Sequence, residues 1–513
     1  MKNLIASITV ATILFAVGLK AREQVNGETF LNSRTNTNPT RLILTEKNKS
    51  ARDVALALSN VRVVYKLSSG SLIVEKPSSS AVRASLEEAY IVEEDALEDP
   101  SVFLRVSPND PLFHYNVNLP PVPWEGSPGI FGRKTYAWYA TNTGISIELY
   151  ESGLMISSVP ATTNASIGLE EAWDIQASGE GVIVAIVDTG IKYDHPDLGG
   201  VVWDGQPLDS NIFDTAGHGT QMAGVIAAVI NNNIGTVGIC PGCKLVACKI
   251  RNFLLSEILI GMSKAVESPG RIINCSWGVA QNSTALLGLC KQAEALGKII
   301  VAAPLNSNID YNGVLDDYPI KWGQSPTNPD GLRNLAVPVP TMPDDRALAG
   351  ASASGNLFID YGAPGYAIAT TGFTATFPYI YANGSSLAVG IVSGSLALIM
   401  AHYPEEPSAL ALKRLGYTVD TPTAELQAKT KYGGRINLLH ALQLAWPKVS
   451  IALSDPSTLS IVLSDLFTNR TQTLLVSTDL VTWSTQISSF TATNSTMTFT
   501  EPLTDSKFFR LSF

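Results

Sequence analysis

The chain is poor in charge, in cysteine and in histidine. Only 16% of its 513 residues are Asp, Glu, Lys or Arg, against 45% hydrophobic ones. That balance excludes a disordered polymer and describes a chain that folds around apolar cores. Lys and Arg number 35 against 45 Asp and Glu, and the basic residues nowhere cluster. Without such a cluster there is no phosphate-binding footprint, which excludes nucleic acid as a partner. The five cysteines, Cys240, Cys243, Cys248, Cys275 and Cys290, are an odd number, so at least one thiol stays unpaired. Cys240-Pro-Gly-Cys243 has the spacing of a redox or half-zinc motif, but no second pair accompanies it. It reads as a local disulfide or as two separate buried thiols. There is no strict internal repeat and no low-complexity tract.

Length alone implies two to four domains. Lys2 and the uncharged apolar run Leu4 to Gly18 read as an export signal cut near Ala21, or, if uncut, as an N-terminal anchor. No later stretch reads as a transmembrane helix, so no membrane span is expected once residues 1–21 are removed. Residues 22–100 hold a small α+β module with its core at 41–98. Its strands are predicted at Leu42–Leu44, Val61–Tyr65, Ser71–Glu75 and Tyr90–Val92, with helices at Ala51–Leu58 and Ser80–Glu88. Residues 101–166 are an irregular, partly Pro-rich connection with an added hairpin. From 167 to 445, strands apolar on both faces (Val182–Val187, Lys244–Ile250, Ile272–Cys275, Ile299–Ala303) alternate with helices (Gly219–Ile230, Ala285–Leu296). That pattern predicts an α/β domain with a doubly wound, mostly parallel sheet. Residues 448–513, rich in Ser and Thr, predict a small all-β sandwich.

Four polar residues carry the chemistry. Asp188 stands at the carboxyl end of Val182–Val187, where open parallel sheets bind ligands, and is followed by Thr189-Gly190. Asp-Thr-Gly also fits an aspartic protease, but that mechanism needs a second such motif, and the chain has none. Of the five histidines, His114, His402 and His440 sit among apolar or aromatic neighbours and His195 precedes Pro196 in a turn. His218 differs, because Gly217 and Gly219 leave its ring uncrowded at the start of a helix. The helix dipole there is expected to lower its pKa. Ser386 opens a helix of small residues in Asn383-Gly-Ser-Ser-Leu-Ala388, where its own N–H can help bind an oxyanion. Asn306, just past the strand Ile299–Ala303, can donate the second hydrogen bond. Asp, His and Ser in that order, with Asn between His and Ser, match a known acyl-transfer arrangement.

These residues resemble the subtilisin family (subtilases). Ala185-Ile-Val-Asp188-Thr-Gly190 with His195-Pro-Asp197-Leu resembles its Asp motif, His218-Gly-Thr-Gln-Met-Ala-Gly224 its His motif, and Gly384-Ser-Ser386-Leu-Ala388 its Ser motif. Ile300-Val-Ala-Ala-Pro-Leu-Asn306 resembles the strand ending in the oxyanion asparagine, and Gly434-Arg-Ile-Asn437 the close of the catalytic domain. The resemblance implies a secreted serine endopeptidase acting on protein or peptide substrates, with Asp188, His218 and Ser386 as triad. Ser276, Trp277 and Gly278 would pair with substrate and wall a primary pocket suited to an apolar side chain. No cofactor is implied for catalysis. Residues 41–98 resemble an inhibitory propeptide, removed by autocleavage ahead of a mature start near Pro108-Asn-Asp110-Pro. A structural calcium is implied, held by Asp110, Asp197 and the Asn232 loop.

The sequence also departs from the family pattern. Gln221 stands where a second His is usual, Gly390 where Pro follows the nucleophile, Leu387 for Met, and Pro304-Leu305 for a small pair. These departures motivate a competing reading, a catalytically inactive subtilase fold serving as a binding or structural protein. An esterase using the same triad is a third. The tail resembles β modules of secreted bacterial proteins, for which surface binding, sorting and attachment are all open.

Overall fold

A strand that is apolar on both faces has to be covered on both sides, and the central region folds accordingly. The computed structural model describes residues 138–140, 142, 147–151 and 154–513, apart from 177, 231, 233, 314–315, 375–377, 456–457, 467–470, 478–483, 492–495, 503–507 and 513, together with four strands between 41 and 94. Those four, β1 (Arg41–Glu46), β2 (Val63–Lys66), β3 (Leu72–Glu75) and β4 (Tyr90–Glu94), form an antiparallel sheet in the order β2-β3-β1-β4. This is the order of a split βαβ module. The helices expected at 51–58 and 80–88 fall outside the described residues, as do the signal run, the mature start and Asp110. In the connection, β5 (Ile147–Glu151) and β6 (Leu154–Val159) pair as a hairpin.

After α1 (Leu169–Ile175) comes a five-stranded parallel sheet. Its strands are β7 (Ile183–Ile186), β8 (Lys244–Ala247), β9 (Ile272–Cys275), β10 (Ile299–Ala302) and β11 (Leu335–Ala336), ordered β11-β10-β9-β7-β8. The chain steps from β7 outward to β8, then returns past β7 to β9. The order reverses between β7 and β9, and a ligand crevice opens beyond the carboxyl ends at such a point. Alternation along β7 serves both faces. Val184 and Ile186 pack with α2 (His218–Ala227), whereas Ala185 and Val187 pack with α3 (Leu255–Glu267) and α4 (Thr284–Ala295). Beyond the sheet, β12 (Pro338–Thr341) pairs with β13 (Tyr361–Pro364) and β14 (Ile368–Thr371) with β15 (Tyr379–Ala382).

The long helix α5 (Ser385–His402) follows β15. Among the described residues it is the one helix long and apolar enough to cross a membrane, contrary to the expectation that no later stretch would be, but nearly all of it is buried in the core. Its glycines let it lie close to its neighbours. A Cβ on Gly390 would stand 2.9 Å from Val225 Cγ1 of α2, and one on Gly394 would stand 2.6 Å from Ile239 Cβ. All five cysteines are free and buried, two separate thiols rather than a disulfide at Cys240 and Cys243.

Separately, the unit from Gln443 to Phe513 holds two antiparallel three-stranded sheets. One orders β16 (Lys448–Asp455), β17 (Thr458–Ser464) and β20 (Met497–Pro502). The other orders β19 (Ser484–Thr491), β18 (Thr471–Ser477) and β21 (Phe508–Ser512). Ile461, Leu463, Leu466 and Leu474 form its core.

Arg435, in the Gly434–Asn437 segment, is 1% exposed. It pairs with Asp345 at 2.5 Å and Asp420 at 3.2 Å, and donates to the carbonyls of Ser166, Asn164 and Ile436. One guanidinium therefore fastens the two ends of the α/β region to each other. Removing it strands a buried Asp345 carboxylate. Arg435→Ala is expected to lower the unfolding free energy by about 3–5 kcal/mol, measured by urea denaturation; a loss well under 1 kcal/mol would contradict this role.

Candidate active site

Asp188 lies two residues past the end of β7 and is fully buried. A buried carboxylate needs donors. Asp188 accepts the Thr189 N–H at 2.7 Å and the His218 ring, whose Nδ1 lies 2.9 Å from Oδ1 and 2.8 Å from Oδ2. The contact fixes the proton on Nδ1 and leaves Nε2 as the available base. His218 is the first residue of α2, and the local sequence is built for this approach. Gly217 takes φ 104°, and a Cβ on Gly219 would stand 2.2 Å from the Gly190 carbonyl oxygen. Gly219 N–H also bonds Thr189 Oγ1 at 2.9 Å.

One residue that sequence reasoning passed over anchors this turn. Asp214, 1% exposed, accepts from the N–H groups of Ala216, Gly217 and Thr220 at 2.9, 2.8 and 2.9 Å, and from the Thr220 hydroxyl at 2.5 Å. It supplies the capping oxygen that Gly217, at the N-cap, lacks. The missing cap residue was the signal that could have found it. Burial alone would push the His218 pKa down. Asp188, by charge and hydrogen bond, and Asp214, by charge, together outweigh burial and hold it above the usual value. The expected lowering by the helix dipole is thus reversed, because the charges of two nearby carboxylates favour the imidazolium.

Ser386 sits in the first turn of α5, where its N–H has no carbonyl within the helix to bond. In this conformation its Oγ donates to the Ser276 carbonyl at 3.4 Å, and no hydrogen bond joins it to the His218 ring among the described residues. The two are nonetheless neighbours. Met222, one turn after His218 on α2, puts its sulfur 3.1 Å from Ser276 Oγ, and that hydroxyl reaches the Ser386 carbonyl at 3.5 Å. Below them, Asn274 bonds Ser276 Oγ at 3.0 Å and accepts from Ser393 at 3.0 Å.

Asn306, after β10, is brought to the same corner. Its Oδ1 accepts the Ser385 N–H at 2.9 Å. A backbone N–H can only donate, so this bond settles which end of the amide faces α5 and commits Nδ2 to donate elsewhere. Ser276 and Gly278 follow β9 at this edge. Trp277 differs from the pocket-wall expectation, since its side chain is fully buried against α3 and α4 and its indole N–H donates to Val187 at 2.8 Å. It can offer a substrate only main chain.

The metal expectation fits less well. Asp197 is fully buried, but its oxygens accept the Asn232 amide N–H at 2.6 Å and the Thr236 N–H at 2.9 Å. Asn232 Oδ1 is taken by Ile234 N–H at 3.0 Å. The described oxygens therefore do not converge on a cation, and Asp110 lies outside the described residues. Burial is the main reason the Asp197 pKa is pushed up to about 6.

A family model described as "Subtilase family" matches residues 179–433. Subtilisin from Bacillus pumilus is 32% identical over 275 residues, 52% of this chain and 92% of that protein. Thermitase from Thermoactinomyces vulgaris is 30% identical over 236 residues, 45% and 78%. Subtilisin amylosacchariticus from Bacillus subtilis subsp. amylosacchariticus is 32% identical over 249 residues, 47% of this chain but only 61% of that protein's length.

The charge balance around His218 is open to titration. Followed by NMR, its ring is expected to titrate above the ordinary value of about 6.5. Asp214→Asn removes a charge that favours imidazolium, so the midpoint should move down; an unchanged midpoint would rule Asp214 out.

Proposed function

From a chain that belongs to the subtilase family, we propose a secreted serine endopeptidase, made as a precursor, with Asp188, His218 and Ser386 as its triad. The observation that carries this is the buried Asp188–His218 contact beside the Ser386 helix entrance. A turn about its Cα–Cβ bond swings the Ser386 hydroxyl from the Ser276 carbonyl toward the ring. His218 Nε2 then takes its proton as Oγ attacks the peptide carbonyl, and later returns it to the leaving amine. Asp188 holds the tautomer and stabilises the imidazolium. The oxyanion receives the Ser386 N–H and the Asn306 Nδ2–H. All of this uses the protein's own groups.

The N-terminal sheet suits a propeptide that inhibits its own enzyme, because β1 comes against α3 and α4. The C-terminal sheets carry no triad residue and serve as a module for a surface or sorting partner. Five buried thiols, Cys248 and Cys290 pushed up to about 12 by burial, argue against a cysteine nucleophile. The inactive-fold reading draws on one observation, that Ser386 Oγ is bonded to Ser276 rather than to His218.

Labelling with a fluorophosphonate separates the two readings, since only a working triad makes Ser386 nucleophilic. Ser386→Ala is expected to stay an unprocessed precursor and to lose roughly 10⁶-fold in kcat. Normal maturation of that variant in isolation would refute the assignment. Asn306→Ala should cost about 10²–10³ in kcat with little change in KM. Because His218 must be neutral to act as base, and its pKa is raised, kcat/KM is expected to fall as pH drops through a value above that of an ordinary histidine.

A further inference from the structure

We infer that Asp317 sets the primary specificity of this site, and that the preferred substrates carry Lys or Arg on the acyl side of the cut bond. The inference rests on the endopeptidase reading above. A substrate whose carbonyl oxygen lies at the Asn306 amide has to send the adjoining side chain into the space between two segments. These are Ser276–Gly278, after β9, and Pro304–Asn306, after β10, and β9 and β10 are neighbours in the sheet.

Asp317 joins those two segments at their inner side. Its Oδ2 accepts the Tyr311 hydroxyl, and the same hydroxyl accepts the Leu305 N–H at 2.8 Å. Its Oδ1 lies so near Gly278 that a Cβ on that glycine would stand 2.1 Å away. Tyr318, the next residue, is bridged to Val279 by two backbone hydrogen bonds of 2.9 and 2.8 Å, which hold the carboxylate in register with the 276–278 segment. Asp317 is 1% exposed. A buried carboxylate in van der Waals reach of the pocket wall penalises an apolar side chain pressed against it and rewards a guanidinium or ammonium. Gly278 keeps that approach open, because any larger residue would collide with the carboxylate. Trp277, the residue that made the pocket look apolar in sequence, is turned into the core and lines nothing. Lys and Arg are the side chains that bring a full positive charge to this carboxylate at neutral pH.

The test is a mixed peptide library digested by the mature wild-type protein, with products read by mass spectrometry. Matched peptides carrying Arg, Lys, Phe or Leu at that position are compared by kcat/KM. Products ending chiefly in Lys or Arg are expected. The Arg-to-Phe ratio of kcat/KM should fall about a hundredfold or more in Asp317→Asn, while Asp317→Glu keeps a basic preference. Products ending mainly in apolar residues, or an unchanged ratio in Asp317→Asn, overturn the inference. If Asp317→Asn does not fold, the wild-type product profile decides alone. Fluorophosphonate labelling of the wild type distinguishes the two levels of failure. Labelling without a basic preference sinks only the role of Asp317, whereas no labelling and no cleavage sink the endopeptidase reading with it.

Discussion

A buried imidazole against a buried carboxylate is the constraint on which the rest of the site depends. Each would be costly alone, and each makes the other affordable to the fold. For the two to meet, β7 must end where α2 begins, and α2 must enter through residues with almost no bulk. The parallel sheet provides the first condition, by reversing its order beside β7. Gly217 and Gly219 provide the second. Asp214 then holds the helix start in place, so Asp188 fixes the His218 ring while Asp214 fixes the backbone that carries it.

The same economy of bulk recurs at α5. Ser386 is useful only because its helix can lie against α2, and the glycine at 390 permits that depth of contact, as the one at 394 does against Ile239. Gly390, which looked like a departure from the family pattern, is thus a packing requirement of this chain, with Val225 occupying the space. The polar residues beneath the site, Asn274, Ser276 and Ser393, satisfy one another and leave the surface-facing groups free to turn.

Much of this was legible in the sequence where the signal was local. The strand at 272–275 was read at its true limits, and those at 183–186, 244–247 and 299–302 within a few residues. The reason is that an apolar run with polar flanks is set by a handful of neighbours. Asp188 and His218 were legible for a similar reason, one at a strand end and one between glycines. The pKa direction of His218 was not. A helix-dipole argument considers only the ring's own helix, and the two carboxylates that win come from the strand end and the preceding loop. Trp277 was misjudged although the clue was present. Ile273, Cys275 and Trp277 alternate onto one face, and the third side chain follows the first two into the core. Asp197 and Asn232 were rightly seen as near one another, but the sequence cannot say that the amide turns its N–H, and not its oxygen, toward the acid.

The five thiols lie in two groups within the α/β core, Cys240 and Cys243 before β8, and Cys248, Cys275 and Cys290 after β8, at the end of β9 and within α4. Burial keeps all five covered, and it pushes the thiols of Cys240, Cys248, Cys275 and Cys290 up. An alkylating reagent can therefore reach them only when the sheet breathes, and its rate of uptake would act as a gauge of core opening, position by position. The chain carries its own reporters of unfolding, already in place and silent while it is native.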